Sequence, residues 1–134
     1  MVPSRGLFIT VEGGEGAGKS TNIAGIQAYL QSRGVDLVVT REPGGTRLGE
    51  DVREVLLRPR EEPVVPMAEL LLLFAARAQH VEDVILPALG AGKWVICDRF
   101  TAASYAYHCG GRGMPASAVR ALQSLVQGVL RPDY

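Results

Sequence analysis

Residues 13–20 read GGEGAGKS, with four glycines in eight positions and Lys19 and Ser20 closing the run. They follow directly on LFITVE (7–12), a nearly continuous apolar stretch such as a strand buried on both faces requires. Beyond them Ile23, Ile26 and Leu30 recur at helical spacing as far as about Arg33, and Gly34 supplies a stop. A buried strand, a glycine-rich turn and a helix in that order restrict the chain to folds that alternate the two element types.

The rest of the chain continues the alternation. VDLVVT (35–40) predicts a second buried strand, and Leu48, Val52, Val55 and Leu56 mark a short amphipathic helix after the REPGGT loop. RPREEPVVP (58–66), with its prolines, is a connector. A long helical segment is expected from Met67 to about Leu89, bent near Pro87. KWVICD (93–98) is a third strand, and Val119, Leu122, Leu125, Val126 and Val129 predict a last helix. Strands joined by helices imply a parallel sheet in a three-layer α/β sandwich. Three strands make a small sheet for that architecture, and LRPDY stops where a helix should hand over to another strand. The expectation is a single domain over 1–134 that forms the N-terminal part of a longer one.

Composition narrows the class. The 134 residues hold 14 Lys+Arg and 14 Asp+Glu, so no positive excess points to polymeric nucleic acid or a membrane surface. The N-terminal apolar run is too short for a signal peptide, and later ones are interrupted by charges. Cys97 and Cys109 lack metal-ligand spacing and read as free thiols in a reducing compartment, hence a cytoplasmic protein.

The glycine-rich turn fits GxxxxGK[ST], with Gly13, Gly18, Lys19 and Ser20 at the fixed positions. Glycines let backbone N–H groups approach phosphate oxygens with no Cβ in the way. The helix N-terminus adds partial positive charge, Lys19 can bridge the β- and γ-phosphates, and Ser20 offers a hydroxyl to Mg²⁺. Gly13, Gly14, Glu15, Gly16, Ala17, Gly18, Lys19, Ser20 and Thr21 therefore form the expected nucleoside triphosphate site. The motif alone leaves a small-molecule kinase, a GTPase, an ATPase motor and a transporter subunit open. Asp98 ends the strand WVICD, the usual place for a carboxylate that orders the Mg²⁺ water shell, and Arg99 can pair with phosphate. The same two residues could instead form a structural ion pair at a strand end.

The motifs EGGEGAGKST, TREPGGT, FAARAQH, CDRF and SYAY…GGRG occur in the order and spacing of bacterial thymidylate kinases, which the chain resembles from about Leu7 to Asp133. That resemblance implies transfer of the ATP γ-phosphoryl group to dTMP with Mg²⁺, in a homodimer. It places Glu15 near the deoxyribose 3′-hydroxyl, Arg53 and Arg99 on the acceptor phosphate, and Glu42 in the same cavity. Lys19, Arg99 and Glu15 are the catalytic expectations, and Ser20 and Asp98 the metal-linked ones. Arg77 resembles the arginine that bonds a thymine carbonyl, and Phe74 the ring stacked on the base. Many relatives carry that ring four residues before the arginine; here it lies three before, and Phe74 also reads as core. Ser104 falls near the base, and Tyr107 matches the tyrosine that crowds the sugar 2′ position. Relatives commonly have AYQGGGRG where this chain has AYHCGGRG, so His108 replaces a glutamine beside the base. The family continues past RPD into a strand, an arginine-bearing lid and an adenine pocket. The resemblance therefore implies an acceptor half that binds dTMP better than it turns it over. A kinase for another nucleotide or nucleoside, and a non-catalytic nucleotide-binding fragment, are the competing readings.

Overall fold

The computed structural model describes residues 5–12, 18–100, 110 and 113–134. Strand β1 (Phe8–Val11) leads to helix α1 (Lys19–Ser32) and strand β2 (Leu37–Arg41). Helices α2 (Arg47–Leu57) and α3 (Pro66–His80) follow, then a π-helical segment (Val81–Ile85) that runs into α4 (Leu86–Gly90). Strand β3 (Trp94–Asp98) and helix α5 (Ala116–Gln127) complete the described elements.

The three strands form one parallel sheet in the order β1-β3-β2. Phe8 is level with Val95 and Leu37 with Trp94, so all three strands end together at Val11, Arg41 and Asp98. Val95, Ile96 and Cys97 are all fully buried, which explains the unbroken apolar run in β3. Val95 and Cys97 pack with Phe8, Val81, Ile85, Leu89 and Phe100 in the main core. A second cluster joins Leu70 and Phe74 of α3 to Val119 of α5. The three-layer expectation holds.

The edge of β1 away from β3 is met by the last two residues of the chain. Thr10 N–H donates to the Tyr134 carbonyl at 3.0 Å, and Asp133 N–H donates to the Phe8 carbonyl at 2.7 Å. The Asp133 carboxylate also accepts from Phe8 N–H at 2.7 Å and from Arg5 at 2.9 Å. Those two donors hold its carboxyl below the usual aspartate range, the backbone bond from Phe8 first.

Three local expectations need correction. The long helix departs from α geometry at Val81–Ile85, ahead of Pro87, where Leu86 N–H reaches back five residues to the Val81 carbonyl. Proline at 87 cannot donate to the carbonyl four residues back, and the wider turn lies just before it. Ile26 is 36% exposed although its spacing matches that of the buried Ile23. On the last helix Val119, Leu122 and Val126 face inward, whereas Leu125 and Val129 are exposed. Leu125 lies off the buried stripe at 3.6 residues per turn, and Val129 lies beyond the helix, which ends at Gln127.

Candidate functional site

The C-terminal ends of parallel strands are where open α/β sheets gather ligands. Here that edge collects Glu12 after β1, Glu42 after β2, and Asp98 and Arg99 at the end of β3. Gly18 caps α1 at φ 74°, a left-handed backbone that glycine adopts without a steric penalty. Lys19 and Ser20 therefore stand in the first turn of α1, facing the end of β3. Lys19 Nζ lies 2.6 Å from Asp98 Oδ1, an ion pair without the alignment of a full hydrogen bond. Solvent reaches part of each side chain, 11% for Lys19 and 28% for Asp98, while Asp98 Oδ1 itself is buried.

Arg99 adopts φ 66°, unusual for a residue with a side chain. Its turn is tied on both sides: Arg99 N–H donates to the Val11 carbonyl at 2.9 Å, and Phe100 N–H donates to Glu12 Oε1 at 3.0 Å. The buried Phe100 ring packs edge-on against Phe8 at 5.0 Å. Glu12 is raised above the usual glutamate range by partial burial, which outweighs the bond from Phe100 and the charges of Arg77 and Lys19.

Beside this edge lies a dry polar cluster. Arg77 on α3 donates through Nε to Glu42 Oε1 at 2.5 Å, with both side chains at least nine-tenths buried. Its guanidinium carbon sits 4.7 Å from the centre of the Phe74 ring and 4.8 Å from that of Phe100. Phe74, 2% exposed, is core, as one of the two sequence readings had it, and also packs on Arg77. His80, fully buried, places Nδ1 2.8 Å from Glu42 Oε2 and Nε2 2.6 Å from Thr40 Oγ1. Cys97 stands next to this group as a buried free thiol, donating to the Arg99 carbonyl at 3.1 Å. Burial, with the Glu42 charge next in weight, pushes that thiol well above its ordinary value. Glu42, His80 and Cys97 bring potential ligand atoms within 4.8 Å of one another. Both Glu42 oxygens and both His80 nitrogens already have partners, and Arg77 supplies the positive charge a metal ion would bring. The cluster therefore reads as a hydrogen-bonded core.

The loop from Glu42 to Thr46 links this cluster to α2. Thr46 caps α2 by accepting from Gly49 N–H at 2.9 Å, and Glu50 accepts from Gly45 N–H at 3.3 Å. Arg53, half-buried on α2, reaches back to the Pro43 carbonyl at 3.5 Å, the limit of a hydrogen bond.

The structure thus gathers Lys19, Ser20, Asp98 and Arg99 at one end of β3, and Glu42, Phe74 and Arg77 in the cluster beside it. Arg53 stands on the helix that follows the Glu42 loop, and Thr21 follows Ser20 in α1. Gly13, Gly14, Glu15, Gly16, Ala17, Ser104, Tyr107, His108 and Cys109 lie outside the described residues. Two participants went unassigned in the sequence. His80 lies three residues after Arg77 on the same helix face, a spacing that could have flagged it. Glu12 borders the phosphate-loop motif, but nothing local announces its bond to Phe100.

A family model described as thymidylate kinase matches residues 11–134. Thymidylate kinase from Teredinibacter turnerae is 59% identical over 128 residues, which cover 96% of this chain and 62% of that protein. The Pseudomonas entomophila thymidylate kinase is 60% identical over 128 residues, 96% of this chain and 61% of the relative. The crystal structure of thymidylate kinase from Ehrlichia chaffeensis matches with a TM-score of 0.88 at 40% identity, covering 98% of this chain and 74% of that one. The chain therefore spans about three fifths of the length of these curated relatives. With a family match across nearly all of its residues, and the same fold in a solved relative, the chain belongs to the thymidylate kinase family.

Proposed function

We propose that the chain forms a single phosphate-loop domain serving a thymidylate kinase, which transfers the γ-phosphoryl group of ATP to dTMP and releases dTDP and ADP. The observation that most supports this reading is Arg77, held by Glu42 and by the rings of Phe74 and Phe100 next to the Lys19–Asp98 pair. A buried arginine in a fixed direction suits a base carbonyl, and a lysine at a helix N-terminus suits phosphate.

In the reaction an oxygen of the acceptor phosphate bonds to the γ-phosphorus as the bond to the β–γ bridging oxygen breaks. The protein's task is to align the two anions and offset their repulsion. Lys19 would exchange Asp98 for the β- and γ-phosphates, while Arg53 and Arg99 draw in the acceptor phosphate and Glu15 orients the sugar. Ser20 and Asp98 would hold Mg²⁺ directly or through its waters; a hydroxyl and a carboxylate are the hard oxygen donors that ion prefers, and Asp98 Oδ1 is a buried oxygen without an aligned hydrogen bond among the described residues. Bound there, Mg²⁺ supplies charge neutralisation at the phosphate oxygens. Ser104, Tyr107 and His108 would complete the walls around base and sugar.

Among the described residues no helix is long and apolar enough to cross a membrane. We read the protein as cytoplasmic and homodimeric; Met67 and Leu71 on α3, exposed one turn apart, offer an apolar ridge for a second copy.

Calorimetry on the chain tests the assignment. dTMP should bind more tightly than dCMP, whose amino group presents a donor where thymine has a carbonyl, and Arg77→Ala should erase that preference. Equal binding of dTMP and dCMP by the parent would refute it. Lys19→Ala should weaken Mg²⁺-ATP without altering dTMP affinity.

A further inference from the structure

We infer that His80 is a positioning residue for base selection: it fixes the Glu42 carboxylate, which in turn fixes the Arg77 guanidinium. The inference rests on the proposed role of Arg77 at the base and extends it to a residue that does not touch the base.

Helix α3 carries Phe74, Arg77 and His80 at intervals of three, so ring, guanidinium and imidazole lie on one face. Arg77 Nε holds Glu42 Oε1 at 2.5 Å, and His80 Nδ1 holds Oε2 at 2.8 Å. Two donors on different oxygens prevent the carboxylate from turning about its last bond. A carboxylate paired with arginine only accepts, so Nδ1 is the protonated ring nitrogen. Nε2 of the neutral ring is then an acceptor, and the Thr40 hydroxyl donates to it at 2.6 Å. Donation thus runs from Thr40 through His80 to Glu42, whose carboxylate accepts from Arg77 on its other oxygen. The backbone closes over the imidazole as well: a Cβ at Gly45 would come within 2.4 Å of Nε2. The ring can neither flip nor swing out without moving the loop that carries Glu42. The two phenyl rings flank Arg77, Glu42 holds its Nε, and His80 holds Glu42 from the far side.

The experiment uses nitrogen-15 NMR of the folded chain together with dTMP and dCMP titrations of three His80 variants. In the parent, His80 should be in the Nδ1–H tautomer, and the Arg77 Nε–H resonance should be slow to exchange. His80→Asn keeps a donor close to the Nδ1 position, so it should retain dTMP affinity within about threefold and keep the slow resonance. His80→Gln, whose amide falls nearer the Nε2 position, and His80→Leu should each bind dTMP roughly 10- to 100-fold more weakly, as expected for a buried acceptor left without its donor. Their preference for dTMP over dCMP should narrow, and the Arg77 resonance should exchange quickly. A protein that tolerates Leu with unchanged affinity and preference overturns the inference, as does an Nε2–H tautomer in the parent. If the Leu variant does not fold, the parent tautomer and the Asn and Gln variants decide. A parent that binds no dTMP overturns the proposed function instead, and the tautomer and the Arg77 resonance then decide the inference by themselves.

Discussion

Two ion pairs lie beside the end of the same strand and are built in opposite ways. Arg77–Glu42 is dry, braced by two phenyl rings and an imidazole. Lys19–Asp98 is reached by solvent and held by little beyond its own attraction. Coulomb attraction is stronger in the dry site, yet so is the penalty for breaking it. A charge that must change partners during turnover belongs where water can share the exchange. One that only defines the shape of a pocket can be sealed in. Under the proposed function, the difference separates groups that would move in the reaction from groups that would frame it.

The largest effect should come from breaking the sealed pair. Glu42→Ala leaves Arg77 buried without its counter-charge and should cost about 3–5 kcal/mol of stability, against about 0–1 kcal/mol for Asp98→Ala. Urea denaturation of both variants makes the comparison, and equal losses would break it. A finer test uses two glycines with nearly the same backbone. Gly45 and Gly34 have φ 79° and 80°, but a Cβ meets His80 and Thr40 at Gly45 and open space at Gly34. Alanine at either should cost about 1–2 kcal/mol for the left-handed backbone. Gly45→Ala should exceed Gly34→Ala by a further 1 kcal/mol or more, roughly the cost of an overpacked contact. Matching thermal denaturation midpoints would mean that the loop yields freely.

Weaker effects are expected at the sheet edges. Asp133→Ala removes the acceptor for Phe8 N–H and should lose about 1 kcal/mol. Because the folded protein lowers the Asp133 pKa, its contribution is complete above the ordinary aspartate value of 3.8 and fades as pH falls through the folded one. Glu12 has the opposite sign. Its raised pKa means that ionisation in the folded state costs stability as pH climbs through that value. Glu12→Gln should melt slightly higher than the parent at pH 7, with the gain shrinking towards pH 4. A gain independent of pH would assign the effect to something other than the charge.

Legibility in the sequence followed distance along the chain. Strand β1 and helix α1 lie within residues 8–32, and composition and spacing announced both. Asp98 was readable because it ends a uniformly apolar strand. Phe74 was ambiguous because one ring fills the core and stacks on Arg77, and periodicity cannot tell those uses apart. His80 and Glu12 were not readable. Their partners Glu42 and Phe100 lie 38 and 88 residues away, and only the packed sheet brings them together. The exposure of Ile26 was hidden for a similar reason, since a helical stripe does not reveal how closely its helix approaches the sheet.

The order β1-β3-β2 also governs how the chain can be made. β1 and β2 do not hydrogen-bond to each other; each pairs with β3, which is synthesised last of the three. While the chain grows from residue 41 to residue 93, two apolar strands exist with no ladder to join. Their sheet then closes in one step around Val95, Ile96 and Cys97, through contacts as distant in sequence as Phe8 and Val95. Such long-range pairing is slow and leaves apolar edges open to neighbouring chains in the meantime. The strand that holds Asp98 at the site is thus also the one whose arrival gives β1 and β2 their shared ladder.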